Sequence, residues 1–232
     1  MANKDLRDWI KQLDDAGQLR RISGADREEE IGGIVDLHMR EMTNPAVLFD
    51  DIPDYPQGYR VLANILTSVP RISIAMGQPA GTSEIELVNF WRNYMKEQPL
   101  IAPVEVSSGA IMENVAHGKD IDITKIPTPR WHEHDGGRFL GTGCGVITMD
   151  PDTGEANIGT YRCQIQAKNT ISVKVNKGKH GRLNLQKYHE AGKPCPVAIS
   201  IGHAPSLFMA GWFPVNEPEY DVIGWLQGHP AQ

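Results

Sequence analysis

An amide, a glycine, a phenol and a guanidinium follow closely in Asn157-Ile158-Gly159-Thr160-Tyr161-Arg162, the densest polar cluster in the strand-rich part of the chain. A guanidinium is planar, permanently charged and able to grip a carboxylate through two hydrogen bonds, so Arg162 suits a site that handles carboxylic acids. A surface or interface salt bridge is the plainer use of the same residue. On a regular strand, residues five apart point to opposite faces. Asn157 and Arg162 therefore serve one pocket only if Gly159 or a bulge re-aims the chain. A second cluster, Asn176-Lys177-Gly178-Lys179-His180-Gly181-Arg182, sets two glycines, three basic residues and a histidine ahead of a helix. Backbone amides at such a helix start can hold phosphate, and Lys179 and Arg182 add charge. The spacing is not that of a Walker motif, and a solvated basic loop is the competing use. The third cluster, Trp131-His132-Glu133-His134-Asp135-Gly136-Gly137, has two histidines and two acids within five residues, but H-x-H on a short loop is not the helical H-E-x-x-H arrangement, so no zincin-like site is expected. His38, His117, His189, His203 and His229 stand alone, with helix-face or loop roles.

The elements that must position these residues divide the chain in two. Leu6, Trp9, Ile10 and Leu13 recur at helical spacing, with Asn3 or Asp5 to cap the start and Gly17 to end the helix. A second helix is expected from Asp26 to Met42, interrupted by Gly32-Gly33 and stopped by Asn44-Pro45. Strands follow at Ala46–Phe49 and Arg60–Leu66. Ser83 and Glu86 form a capping-box pattern ahead of Val88, Trp91, Tyr94 and Met95, and Pro99 closes that helix. These stripes are core packing. From about Pro103 helical periods give way to apolar runs broken by Gly, Pro and Asp, which sets a boundary near residues 100 to 105. Strands are expected at Val104–Ser107, Gly145–Met149, Ala156–Gln166, Ile171–Val175 and Val197–Ile201. Turns at Pro151-Asp152-Thr153-Gly154 and Lys168-Asn169-Thr170 would join three of them into an antiparallel meander. Arg182–Ala191 reads as a helix ended by Gly192 and Pro194.

The 232 residues, 40% hydrophobic and 22% charged, are enough to bury a sizeable core in one large or two modest domains. A formal charge of -6 without runs of like charge argues against nucleic acid or an anionic membrane as partner. The acidic start lacks an apolar signal core, and no segment has the roughly 20 apolar residues that span a bilayer, so a cytoplasmic protein is expected. Cys144, Cys163 and Cys195 are widely spaced and odd in number. They fit neither a disulfide framework nor a thiolate metal cluster and are read as reduced packing residues.

Four segments occur in an order that resembles the signature of UbiD-type decarboxylases: Gly118-Lys119-Asp120-Ile121-Asp122-Ile123 running to Ile126-Pro127; Asn157 to Arg162; Lys179-His180-Gly181; and Glu219-Tyr220 before Gly224-Trp225-Leu226-Gln227-Gly228. The likeness extends to the first helix, Ala63-Asn64 and Ala75-Met76-Gly77, and so covers nearly the whole chain. It implies an α+β protein: an amino-terminal α/β domain over residues 1–104, then a split antiparallel β-barrel of flavin-binding type over 105–232. By the same resemblance, Asn157, His180 and Glu219 are ligands of Mn2+ (or Mg2+) bridging the phosphate of prenylated FMN, with K+ nearby. An amide oxygen, an imidazole and a carboxylate suit those ions better than a thiolate-seeking one. Arg162 is the implied catalytic residue, positioning the substrate carboxylate against the flavin. Ile158, Thr160, Tyr161, Arg162, Lys179, His180, Gly211, Trp212, Phe213 and Pro214 are implied to contact the cofactor.

The implied activity is the reversible, non-oxidative decarboxylation of aromatic or α,β-unsaturated carboxylic acids, in which the modified flavin is the electron sink while CO2 leaves. Its implied partners are the acid and CO2, a flavin prenyltransferase that supplies the cofactor, and further copies of the chain in a homo-oligomer. The chain departs from the family pattern by ending at Gln232, soon after Gly228. Both glutamates of the family's Glu-Arg-Glu network, one of which protonates the product carbon, and the carboxy-terminal domain are expected further along, so the chain is read as a fragment lacking the catalytic glutamates. The stretch from Pro214 to Glu219 is about two residues shorter than in some relatives, which leaves Glu217 as a fallback ligand. Two rivals remain: a non-catalytic FMN-binding or assembly subunit, and a split-barrel flavin reductase, whose sequence would not carry the Asn, His and Glu triplet in this order.

Overall fold

The computed structural model describes residues 5–97, 100–141, 143–213 and 217–232. Helix α1 (Leu6–Asp15) starts where the Asp5 carboxylate accepts a hydrogen bond from the Asp8 amide at 2.8 Å, and its stripe Trp9, Ile10 and Leu13 is buried. It ends in a left-handed Gly17 (φ 65°), with Gly17 N–H donating to Asp14 O and Gln18 N–H to Leu13 O. Asn3, the other expected cap, lies outside the described residues.

Strand β1 (Leu19–Ser23), helix α2 (Glu30–Met39), strand β2 (Ala46–Asp50) and strand β3 (Val61–Ala63) follow. β2 is central, parallel to β1 and antiparallel to β3. The helix expected over 26–42 is shorter at both ends. Glu29 takes a left-handed backbone (φ 75°) and Glu28 bridges to Arg130, so the chain is still turning until Glu30. Gly32 sits where the Trp131 carbonyl passes, and an added Cβ would lie 1.7 Å from that oxygen, so this glycine admits a backbone crossing. Helix α3 (Val69–Ala75) carries a proline in its first turn, and its fully buried Arg71 donates to Asn44 O and Thr67 Oγ1, both at 2.6 Å.

Helix α4 (Glu84–Glu97) forms the expected capping box: Ser83 N–H donates to Glu86 Oε2 at 2.9 Å and Glu86 N–H to Ser83 Oγ at 3.4 Å. Its inward face is Leu87, Phe90 and Trp91, whereas Val88 is exposed. The side chains of Tyr94 and Met95, and Pro99, lie outside the described residues. Val104–Ser107 is not a strand. This segment is exposed, Val104 N–H donates to Ala231 O at 2.9 Å, and short 3-10 turns follow it.

The second half adds strands β4 (Phe139–Gly141), β5 (Gly145–Met149), β6 (Ala156–Gly159), β7 (Arg162–Ala167) and β8 (Thr170–Lys174), helix α5 (His180–Glu190), strand β9 (Val197–Ser200), and helices α6 (Pro205–Trp212) and α7 (Glu219–Gln227). Two antiparallel three-stranded sheets result, β6-β5-β9 and β4-β7-β8. Both expected turns occur, with Asp150 N–H on Glu155 O at 2.8 Å closing β5 to β6, and Lys168-Asn169 joining β7 to β8. The expected meander does not, because the run 156–166 breaks at Thr160-Tyr161 and its halves enter different sheets. α5 also begins two residues earlier than expected, at His180.

The largest apolar cluster spans both halves: Trp9, Leu13, Ile74 and Leu87 pack with Ile158, Met209, Val222 and Trp225. A smaller cluster between the two later sheets contains Cys144, Val146, Tyr161 and Cys163. Among the described residues no helix is long and apolar enough to cross a membrane.

Candidate functional site

The break after β6 is what aims the polar cluster. The Tyr161 side chain folds back over the chain so closely that a Cβ on Gly159 would lie 2.3 Å from its ring, and one on Gly181 2.9 Å from the same ring. Tyr161 thus sits between the end of β6 and the start of α5, 9% exposed, with burial raising its hydroxyl pKa and the Gly181 amide opposing that shift. Only glycine leaves room for the ring at both positions. α5 is tied to β5 by Asn184 Nδ2 donating to Thr148 Oγ1 at 3.1 Å and by Lys187 Nζ on Asp150 at 2.7 Å and Asp152 at 2.9 Å. Sequence reasoning passed over Asn184 and Lys187, although Gly181, Asn184 and Lys187 recur every three residues along one side of α5.

Asn157 on β6 and Glu219 at the start of α7 meet, with Asn157 Nδ2 donating to Glu219 Oε1 at 2.6 Å. The other end of that amide, Asn157 Oδ1, is buried without a hydrogen-bond partner among the described residues. Burial raises the Glu219 carboxyl above the ordinary carboxylate range; its own backbone amide, the Asn157 amide, the Ile158 backbone and the charge of His180 pull it back. His180, the first residue of α5, is exposed and acts electrostatically on Glu219. Asn157 and Glu219, far apart in sequence, therefore meet where β6 and α7 come together, with His180 of α5 near enough to act on Glu219 through its field, and it is Glu219 that accepts the Asn157 hydrogen bond.

Arg162 begins β7, exposed, with its guanidinium 5.8 Å from the centre of the Phe139 ring and Lys174 opposite it in the sheet. Among the described residues it has no carboxylate partner within ion-pair distance. Thr160 lies in the crossing between the sheets. Lys179 precedes α5 and is exposed, leaving the backbone amides of that helix start uncapped by its side chain. The Ile158 side chain belongs to the core, packed under Gly211 of α6, so Ile158 can offer a ligand its backbone alone. Phe213 stacks on Trp91 in the core at 4.4 Å, whereas Trp212 is 63% exposed. Pro214 lies outside the described residues. In the 131–137 loop His132 N–H donates to Asp135 Oδ2, and no group of three or more His, Cys, Asp or Glu side chains is placed to hold a metal among the described residues.

One of the histidines expected in a helix-face or loop role has a consequence for stability. His203, ahead of α6, makes a 3.1 Å contact with Ser200 Oγ, and burial lowers its pKa from 6.5 to about 4. The folded chain keeps it neutral while the unfolded chain takes up a proton, so stability is lost as pH falls from about 6.5 toward about 4, with about 2 kcal/mol gone by about pH 5. Denaturant midpoints at about pH 7 and about pH 5 should differ accordingly, and His203→Gln should flatten the difference.

Comparison with known proteins matches this architecture. The model of the 3-octaprenyl-4-hydroxybenzoate carboxy-lyase Rift-related domain (UbiD) matches residues 103–232, and that of the carboxy-lyase N-terminal domain (UbiD_N) residues 10–91. The chain belongs to the UbiD family. It is 29% identical to the pyrrole-2-carboxylic acid decarboxylase of Pseudomonas aeruginosa, covering 98% of this chain and 48% of that protein. It is 31% identical to the phenolic acid decarboxylase of Escherichia coli O157:H7, covering 99% and 50%. The vanillic acid decarboxylase of Sedimentibacter hydroxybenzoicus in its closed form superimposes with a TM-score of 0.91 at 29% identity, over 100% of this chain and 50% of that one. The UbiD-class enzyme HmfF from Pelotomaculum thermopropionicum, solved with FMN, shares the fold with a TM-score of 0.82 at 22% identity, over 97% and 49%. The chain thus spans about half the length of these relatives.

Proposed function

We propose that this chain is the amino-terminal and prenylated-FMN-binding part of a reversible, non-oxidative decarboxylase acting on aromatic or α,β-unsaturated carboxylic acids. The observation that carries the proposal is Asn157 Oδ1, buried beside Glu219 and without a hydrogen-bond partner among the described residues. A buried amide oxygen without a donor is costly, and a cation at that position would satisfy it. Asn157, His180 and Glu219 would hold Mn2+ or Mg2+, a mixed and mostly oxygen-rich donor set that fits those ions. K+ is assigned to the same neighbourhood on family resemblance alone. The division at residue 104, and a split barrel formed by the two three-stranded sheets, belong to the same proposal.

The chain's residues have distinct tasks in it. The start of α5, with Lys179 and His180, faces the cofactor phosphate, where helix amides and positive charge favour an anion. Arg162, without an acidic partner among the described residues, binds and orients the substrate carboxylate. Thr160, the Tyr161 backbone and the exposed Trp212 flank the flavin. Prenylated FMN, when bound, supplies the electron sink for loss of CO2. The general acid, the homo-oligomer and a flavin prenyltransferase that supplies the cofactor enter the proposal on family resemblance, and this chain spans about half the length of its decarboxylase relatives.

Co-expression with a flavin prenyltransferase tests this. Absorbance and mass spectrometry of the purified chain should show prenylated FMN retained. Asn157→Ala or His180→Ala should weaken retention by about 10- to 100-fold, whereas Arg162→Ala should keep the cofactor. Equal retention of ordinary FMN would favour a non-catalytic flavin-binding subunit, and no retention at all would reject both.

A further inference from the structure

The thiols of Cys144 and Cys163 lie outside the proposed mechanism, and their separation in sequence gave no hint of contact. Cys144 immediately precedes β5 and Cys163 is the second residue of β7, so they approach from different sheets. Both are completely buried, their sulfurs are 3.6 Å apart, and both lie against the Tyr161 carbonyl oxygen, at 3.4 Å and 3.5 Å. Gly141, opposite Cys163 on β4, leaves the space: a Cβ there would lie 2.8 Å from the Cys144 sulfur.

We propose that Cys144 and Cys163 form a covalent modification site, a dithiol that a small peroxide closes into a disulfide joining the two sheets beneath Tyr161. The surrounding Val146, Ile171, Val173 and Ile199 exclude bulky oxidants, which is why the oxidant is a small one. In the first step the Cys144 sulfur attacks peroxide, the O–O bond breaks, and a sulfenic acid and water form. In the second, the Cys163 sulfur attacks that sulfenic sulfur, the S–S bond forms, the S–O bond breaks and a second water leaves. Overall two thiols and one peroxide give one disulfide and two waters. Cys144 leads because its contact with Cys163 lowers its pKa, whereas the same contact and burial raise that of Cys163.

Bonded sulfurs lie about 2.05 Å apart, so closure draws these two together by roughly 1.5 Å and removes both S–H donors from the Tyr161 carbonyl. The backbone that moves is the crossing from Thr160 to Arg162, which links this pair to the candidate site without making it a part of that site.

The experiment uses the whole chain carrying Cys195→Ser, so that the partly exposed third thiol cannot form bonds between molecules. After treatment with hydrogen peroxide under native conditions, the protein is alkylated in denaturant and digested with trypsin. The expected product is peptide 139–162 linked to peptide 163–168, separated again by dithiothreitol. Cys163→Ser should give no link and instead a sulfenic acid at Cys144, trapped by dimedone. The proposal is overturned if both thiols remain fully alkylatable at peroxide levels that oxidise Cys195 in the unaltered chain, or if the link forms only after unfolding.

Discussion

Trp225→Ala should lower the unfolding free energy by about 3–5 kcal/mol, the usual cost of emptying a large aromatic site in a packed core. Trp225 is 1% exposed on α7, and its ring meets Trp91 of α4 edge-on at 5.2 Å, in the cluster that also holds Trp9 and Leu13 of α1. The cavity would open where the two halves of the chain share their core. Since α7 also begins with Glu219, its loosening should be felt in the contact between Glu219 and Asn157. Urea denaturation followed by tryptophan fluorescence and circular dichroism measures the effect. Trp212→Ala is the control: that indole is 63% exposed, and its loss should change stability by less than about 0.5 kcal/mol.

What the sequence made legible was mostly local. Asp5 and Gly17 delimit α1, and Ser83 with Glu86 starts α4, because caps are settled by residues three or four positions apart. β1 was missed because Leu19-Arg20-Arg21-Ile22-Ser23 has no period of two; pairing with the wholly apolar β2 holds it in place. Val104–Ser107 has strand composition but no neighbouring strand, and strand propensity without a pairing partner leaves an exposed segment. The division of 156–166 between two sheets depends on Tyr161 settling over Gly159 and Gly181, a tertiary event whose second glycine lies 20 positions away. The site shows the same limit. Asn157 and Glu219 are 62 residues apart, and no periodicity joins them; only the ordered motifs of the family did. The thiol pair carried no such motif and was visible in the fold alone.

Glu219→Gln should act in opposite directions on folding and on metal binding. Burial raises the pKa of this carboxyl, which means that without a cation the fold holds a charge it solvates poorly. Glutamine is nearly isosteric and uncharged, and its side-chain oxygen can still accept from Asn157 Nδ2. The metal-free chain should therefore gain roughly 1 kcal/mol, as often happens when a functional group is replaced by one better suited to its surroundings. Mn2+ affinity, followed by titration calorimetry or the EPR signal of free Mn2+, should fall by more than about 100-fold, since a ligand is lost outright rather than one of its supports. A group present only for packing would show neither the gain nor the loss. Glu217→Gln, in the same segment but not the residue that meets Asn157, should leave Mn2+ binding unchanged. If instead Glu217→Gln abolishes binding and Glu219→Gln does not, the cation belongs to Glu217, and the contact between Asn157 and Glu219 is a structural hydrogen bond.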